Sequence, residues 1–409
     1  MKEPKIRFKG FKGEWEEKKI GTMTSVRGGY AFQSSLFQKS GIPVVRISNI
    51  LSNGNVGGDF AYYPRLDGDT NITIHEKDVV IAMSGATTGK IARVDVGDGI
   101  LYQNQRVGLF TKTSKVDYDF LYAVLNRPHF NELLNKLLTS SAQPNASSAD
   151  IESIEMGFPE DAEEQKALSN YILSLDSLIQ STIKKIESLK QVKAASLQSM
   201  FPQEGETTPR VRFKGFEGEW EKVSLADVGK CFSGICFPES EQGGDNGIPF
   251  YKVSDMNIVG NENVMTYSNN YVTDDQVKRN GWKVCNNIPA IFFAKVGAAV
   301  LLNRKRLTLK PCLCDNNTML YSFDKSAWDT YFCLCCFEAI DLASLVQVGS
   351  LPSYNGSMIG AIKVFLPQYE EQQALGQYFQ NLDRQITLQT QRLEKLKQIK
   401  SACLDNMFV

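Results

Sequence analysis

Two tracts of polar residues carry the side chains best suited to chemistry in this sequence. The first comprises Arg27, Tyr30, Ser84, Thr87, Thr88 and Lys90, followed by Gln103, Asn104, Gln105 and Arg106. The second comprises Lys252, Lys295, Asn303, Arg304, Lys305, Arg306, Asn316 and Asn317. Gln and Asn amides pair bidentately with adenine edges, and Arg or Lys pairs with guanine. Backbone amides at Gly89 or Gly297 can approach a phosphate closely, because glycine carries no side chain to hold it off. Singly, each residue is also ordinary material for a solvated turn or strand end. As two sets at corresponding places, they point to nucleic-acid contact.

Catalytic readings fare worse. Ser84-Gly-Ala-Thr-Thr-Gly-Lys90 resembles a phosphate-binding loop but is one residue short between its glycines, and Ile91 stands where Ser or Thr would hold magnesium. Pro159-Glu160 with Glu164 and Lys166 can be drawn as a nuclease set, yet the segment opens a helix and Asp161-x-x-Glu164 reads better as a capping box. No Asn- or Asp-Pro-Pro-aromatic tetrapeptide of an amino-methyltransferase occurs. The nine cysteines all follow residue 230 without zinc spacing, and those of the apolar run YFCLCCFEAI read as buried small hydrophobes. Two histidines, His75 and His129, leave little for histidine chemistry.

The elements that position the polar tracts come in duplicate. Pro4-Lys-Ile-Arg-Phe-Lys-Gly-Phe-Lys-Gly-Glu-Trp15 returns as Pro209-Arg-Val-Arg-Phe-Lys-Gly-Phe-Glu-Gly-Glu-Trp220. GIPVVRISNI at 41–50 matches GIPFYKVSDM at 247–256, Pro144 and Pro159 match Pro352 and Pro367, and residues 163–201 match 370–408. A chain of 409 residues is thus two copies of a unit of about 200 residues, far longer than a solenoid repeat. The ends of the copies agree and the middles diverge, which suggests one frame carrying two specificities.

That frame contains two long helices. Leu168, Ile172, Leu175, Ile179, Ile186 and Leu189 follow alternating steps of four and three, and Leu375, Phe379, Leu382, Ile386, Leu393 and Leu396 repeat them. A seam sustained over more than four heptads predicts a coiled coil. Leu178, Ile183, Val192 and Leu197 widen the stripe, so the helices have apolar surface left for something else. Some 40 residues at ~1.5 Å rise make rods of roughly 60 Å. The expected order is a first domain at 1–158, a helix at 159–201, linker and repeated opening at 202–222, a second domain at 223–366, and a helix at 367–409. The middles hold short apolar runs, such as VVRISNI, DVVIAMS, GIPFYKVS and AIFFAKVG, between Gly, Asn, Asp and Pro clusters. They predict mixed α/β domains, each completed by helical stretches such as 117–138.

Lys plus Arg number 45 against 46 Asp plus Glu, so no global field marks a polyanion or membrane partner; a DNA binder of this charge either clusters its basic groups or has partners that carry part of the phosphate attraction. No apolar run of 18 residues and no signal-peptide core are present. A soluble, cytoplasmic protein without membrane contact is expected.

The duplicated RFKGFxGEW opening, the GIPxxR/KxSN/D entry to each variable middle, and the EEQxxL…LD…I…IExLK and LExLKxxK closing helices resemble the specificity subunit of type I restriction–modification enzymes. The resemblance implies an α+β protein with two pseudo-symmetric mixed α/β target recognition domains joined by two long antiparallel coiled-coil helices. It implies a non-catalytic subunit that reads a bipartite, asymmetric site in double-stranded DNA and scaffolds two modification (methyltransferase) subunits and two restriction (translocase and nuclease) subunits. No cofactor is then expected in this chain; S-adenosylmethionine, ATP and magnesium belong on the partner subunits. The rival reading is a coiled-coil scaffold that presents two protein-binding domains and touches no DNA. A third is an enzyme whose site the motifs do not reveal.

Overall fold

The computed structural model describes residues 3–97, 99–140, 145–203, 205–346 and 352–409; Pro144, matched above to Pro352, lies outside them. The chain divides into two compact units, Met1–Ile183 with Arg392–Val409, and Lys184–Gln391. The long helices Ala162–Met200 and Tyr369–Asn406 therefore each contribute to both units. The division cuts across the five linear segments read from the sequence, because each domain packs on its own helix start and on the end of the other helix.

The two units repeat one topology. In the first, Glu16–Lys19 pairs with Glu155–Phe158, and a four-stranded sheet runs in the order Val26–Arg27, Val107–Phe110, Val79–Ala82, Ile91–Arg93. A second sheet runs Ala61–Tyr63, Ile42–Val45, Leu101–Gln103, Thr73–Ile74, its central pair parallel. In the second unit, Glu221–Ser224 pairs with Lys363–Leu366, and the four-stranded sheet runs Gly229–Ser233, Thr318–Phe323, Ala290–Ala294, Lys305–Thr308. Its companion has three strands, Tyr271–Val272, Ile248–Tyr251, Leu313–Cys314, again with a parallel pair. The apolar runs VVRISNI, DVVIAMS, GIPFYKVS and AIFFAKVG all supply strands, and those in Val79–Ala82 and Ala290–Ala294 are buried on both faces. The stretch 117–138 is two helices, Tyr118–Leu125 and Pro128–Ser140, since Pro128 has no amide for the preceding turn and starts a new helix instead.

Each core joins its domain to the helix ends. Phe408 stacks on Phe120 with ring centroids 5.6 Å apart and meets Trp15 edge-on at 6.0 Å; Phe201 does the same to Phe332 at 5.4 Å and Trp220 at 6.0 Å. Each buried phenylalanine contributes about 1.5–3 kcal/mol. Within each unit the helix segments run antiparallel. Lys400 Nζ meets Asp176 at 2.6 Å in the first unit; Lys193 Nζ meets Asp383 at 2.8 Å in the second, where Ser196 also bonds Tyr378 at 3.0 Å. Seam residues Leu168, Ile172, Leu175, Ile179, Ile186, Leu189, Leu375, Phe379 and Leu382 are buried, and Ile386, Leu393 and Leu396 are half-buried. Of the stripe beside the seam, Leu178 and Val192 are exposed.

The repeated opening is held by an arginine. Arg7 Nε and Nη2 bond the two carboxylate oxygens of Glu164 at 2.7 Å each, while Nη1 donates to Gly13 O at 2.6 Å. Arg212 makes the same bonds, at the same lengths, to Glu371 and Gly218 O. This corrects the capping box expected at Asp161-x-x-Glu164. Asp161 does cap, accepting from the Glu163 amide at 2.8 Å, but the Glu164 carboxylate turns to Arg7. The helix ends are closed differently. Gln203 Nε2 donates to Gln198 O and Phe201 O after the first helix, whereas Arg127 donates to Leu404 O and Val409 O after the second. The Ile6 amide donates to Asn406 O at 2.9 Å, so the opening segment and the last helix meet, as Val211 meets Ser199 O at 2.9 Å in the second unit. Among the described residues no helix is long and apolar enough to cross a membrane.

Candidate nucleic-acid interface

In the first unit the polar tract converges on one tight turn. Strands Leu101–Gln103 and Val107–Phe110 are joined through Asn104, with Gln105-Arg106 exposed at the tip. The Tyr30 amide donates to Gln103 O and the Gln105 amide to Tyr30 O, both at 2.9 Å, which lays the exposed Tyr30 along the turn. That approach needs Gly29, since a Cβ there would collide with Asn104 O. The Met83 amide donates to Arg106 O at 2.9 Å and ties the loop of residues 84–90 to the same turn. In that loop Thr88 Oγ1 donates to Gly85 O at 2.7 Å and Lys90 Nζ to Ser52 Oγ at 3.0 Å. Thr87 Oγ1 has no partner among the described residues.

The second unit builds the same constellation from other residues. Ile235 pairs with Asp315 as Tyr30 pairs with Asn104, and Gly234 is required as Gly29 is. Asn316 and Asn317 form the exposed tip, and the Lys295 amide donates to Asn317 O at 2.8 Å, as Met83 does to Arg106. Asn104-Gln105-Arg106 thus corresponds to Asp315-Asn316-Asn317. Lys252 Nζ reaches Gln242 Oε1 at 3.0 Å, and Arg304 Nη1 reaches Asn257 Oδ1 at 2.5 Å.

Several residues that the sequence places among the DNA contacts are engaged inside the protein. Gln103 is 0% exposed; its Nε2 donates to Arg27 O and Val107 O at 2.8 Å, and its Oε1 accepts from Arg27 Nε at 2.9 Å. Arg27 Nη2 is spent on Thr73 O at 2.6 Å, and burial pushes this guanidinium's pKa down. Ser84 is buried at the loop entrance. Lys305, 2% exposed, donates to Asn303 Oδ1 and Ile340 O at 2.6 Å, and burial pushes its pKa down to about 8. Asn303 also bonds Ile340 O and the Leu342 amide from a left-handed backbone. Arg306 is held by Asn261 O at 2.7 Å and Lys305 O at 2.8 Å, and burial lowers its pKa too. These side chains brace the sheets behind the loops. Gln103 and Lys305 are bonded inside the protein, and Arg27 and Arg306 each use two of their three guanidinium nitrogens there.

Asp315 and Arg46 escaped the sequence reading. Asp315 is buried, its Oδ1 lacks a partner among the described residues, and burial raises its pKa. It occupies the position of Asn104, an equivalence that the bridge from Ile235 shows and that the sequence spacing does not. Arg46 stands where the second copy has Lys252, at the close of the shared GIPxx(R/K) segment, and its Nε is likewise unpartnered among the described residues. The cysteines Cys312, Cys314, Cys333, Cys335 and Cys336 sit in apolar clusters, and burial pushes the thiols of Cys314 and Cys336 up to about 12.

One α/β fold, present twice, with matched backbone geometry and unmatched tip residues, defines a duplicated recognition module. Residues 12–191 and 217–398 each match the family described as type I restriction modification DNA specificity domain, and the chain belongs to that family. A relative, the type I restriction enzyme MjaVIII specificity subunit of Methanocaldococcus jannaschii, is 28% identical over 188 residues, 44% of this chain and 44% of that protein; the match spans less than half of that relative's length. The fold is shared with the crystal structure of the type I restriction–modification S subunit of M. genitalium, at TM-score 0.64 and 14% identity over 100% of this chain and 99% of that one. It is also shared, at TM-score 0.52 and 14% identity over 96% and 97%, with a chain solved in work on complex assembly and conformational transition of the type I R-M system.

Proposed function

We propose that this chain is the DNA sequence-recognition subunit of a type I restriction–modification complex and performs no catalysis itself. The observation that carries this reading is the paired turn. Two units hold the same backbone bonds, Met83 to Arg106 and Lys295 to Asn317, yet present Gln105-Arg106 in one and Asn316-Asn317 in the other. A frame that is kept while its tips differ suits two readers of different sequences. Arg106 can pair with guanine and the amides of Gln105, Asn316 and Asn317 with adenine. Each unit then reads one half of a bipartite, asymmetric site in double-stranded DNA, and the long helices set the unread gap.

The exposed Leu178 and Val192 beside the helix seam support a docking role for protein partners. Those partners are two modification subunits, which carry S-adenosylmethionine, and two restriction subunits, which use ATP and magnesium. With 45 cationic against 46 anionic residues, this chain leaves part of the phosphate attraction to them. The test is a gel shift of the chain assembled with its modification subunits against random duplexes at two salt concentrations. Sequence-selective retention supports the reading; a complex that retains no DNA at low salt would leave the protein-scaffold reading in its place.

A further inference from the structure

The loop preceding the recognition turn differs between the units in one informative way. Ala82 and Ala294 hold the same register, opposite Val107 and Thr318, and Ile91 and Lys305 lie opposite Ile81 and Phe293. Between those fixed points the first unit has residues 83–90 and the second has residues 295–304, two more. Both loops turn at a positive-φ glycine, Gly85 at 74° and Gly297 at 83°. Both close on a left-handed residue just before a cation: Gly89 at 85° before Lys90, and Asn303 at 50° before Arg304. The additional length falls between these pivots. There the first unit has Ala86-Thr87-Thr88 and the second Ala298-Ala299-Val300-Leu301-Leu302.

Val300 is buried in the second unit's core, whereas Leu301 and Leu302 are each 58% exposed. The extension thus has an anchor and an apolar tip that the core does not need. Its base is clamped by the bonds from Lys305 to Asn303 and Ile340, so the tip is presented on a fixed support. From 295 to 306 the segment has no acidic residue; Lys305 and Arg306 are turned inward, which leaves the half-buried Lys295 and Arg304 as the cations on either side of the tip. An apolar tip flanked by cations fits a polyanion with apolar groups on its readable face. In the major groove of DNA that group is the 5-methyl of thymine.

We propose that Leu301 and Leu302 are specificity-determining residues that read thymine by its methyl group, in the half-site contacted by the second unit. The inference rests on the DNA-recognition reading above. The first unit has Ala86-Thr87-Thr88 at the same place, two residues shorter and without a leucine.

The test replaces each thymine of the recognised site by deoxyuridine, one at a time, and measures binding by the chain assembled with its modification subunits. Loss of one buried methyl contact corresponds to about a fourfold drop in affinity. The expected result is such a drop at one or two thymines of a single half-site. The Leu301→Ala/Leu302→Ala variant should bind the unsubstituted site more weakly and lose no more on replacement, while Leu301→Met/Leu302→Met should keep the sensitivity. Selective binding that is indifferent to every deoxyuridine overturns the inference and leaves DNA recognition standing. So does a double-alanine variant that still responds at the same thymine. If the alanine variant does not fold, the scan on the unmodified chain decides alone. A complex without any sequence-selective binding removes the reading beneath the inference, and the inference with it.

Discussion

Arg7 and Glu164 are joined by two parallel hydrogen bonds of 2.7 Å across 157 residues of sequence, and the bond is copied at Arg212 and Glu371. The pair fastens the RFKGF opening to the start of the long helix, and Glu164 is almost fully buried beneath it. Arg7→Ala would strand a buried carboxylate, a change that costs about 3–5 kcal/mol. Urea unfolding followed by fluorescence should show the transition of the first unit at lower denaturant. Arg7→Lys should rescue little of it, because an ammonium cannot reproduce the fork. A wild-type midpoint in Arg7→Ala would remove the fastening role.

The recognition turns yield the second expectation. Arg106 is exposed at a tip whose backbone is fixed by Met83 and Tyr30, so Arg106→Ala should leave the fold intact. If it reads guanine, specific binding falls by about 1–3 kcal/mol at one half-site only. If it touches phosphate, binding falls evenly and the salt slope drops by about one. Arg304, which already bonds Asn257, should give a smaller loss on Arg304→Ala. Titration over DNA variants at several salt concentrations separates these outcomes, and unaltered affinity in Arg106→Ala would displace the turn from the interface.

Lys305 makes the fold sensitive to pH in a defined direction. Burial holds its pKa at about 8, below the ordinary 10.5, because the ammonium has been taken out of water. Between those values the unfolded chain binds more protons than the folded one, so stability attributable to this residue rises with pH from about 8 to 10.5 and is lost as pH falls through 8. The change should amount to ~3–4 kcal/mol at most. It is read as the difference between the wild-type protein and Lys305→Met across that window, which cancels the other titrating groups. A difference that stays flat with pH would contradict the buried, clamped ammonium.

Much of the architecture is legible in the residues themselves. The heptad steps from Leu168 and Leu375 mark both long helices, and the four apolar runs mark strands, because these patterns are local. The tips at Gln105-Arg106 and Asn316-Asn317 are legible because polar residues between two apolar runs make a turn. Which polar residues face inward is not local. Lys305 is buried because Ile340, 35 residues later, supplies a carbonyl for its ammonium. Gln103 lies in a strand with Leu101 and Tyr102 buried on either face, so no alternation distinguishes it, and its partner Arg27 is 76 residues away. No local pattern tells which of Val300, Leu301 and Leu302 anchors the loop, and of the three only Val300 is buried.

Chain connectivity supplies a further test. The Ile6 amide lies 2.9 Å from Asn406 O, matching Val211 and Ser199 across the linker PQEGETTP. A permutant that joins the two ends through a similar eight-residue linker and opens within 202–209 should fold and keep its DNA preference. Selection against random duplexes would show this; a folded permutant that binds its partners and has lost selectivity would count against the equivalence of the two connections.

If the helices set the gap, inserting one heptad at matching points in both should change the spacing between half-sites and leave both half-sequences intact. Seven residues preserve the apolar seam, whereas one or two rotate it out of register. Sequencing of selected duplexes reads spacing and half-sites together. Altered half-sequences at constant spacing would contradict a spacer role for the helices.

The central claim is that the two units read two different sequences, and random-duplex selection by the chain assembled with its modification subunits tests it most directly. The predicted enrichment is one asymmetric motif of two parts separated by a gap of constant length and no preferred sequence. Exchanging Gln105-Arg106 for Asn-Asn should then alter one part and leave the other unchanged. Enrichment of a single uninterrupted sequence, or of none, would contradict the account.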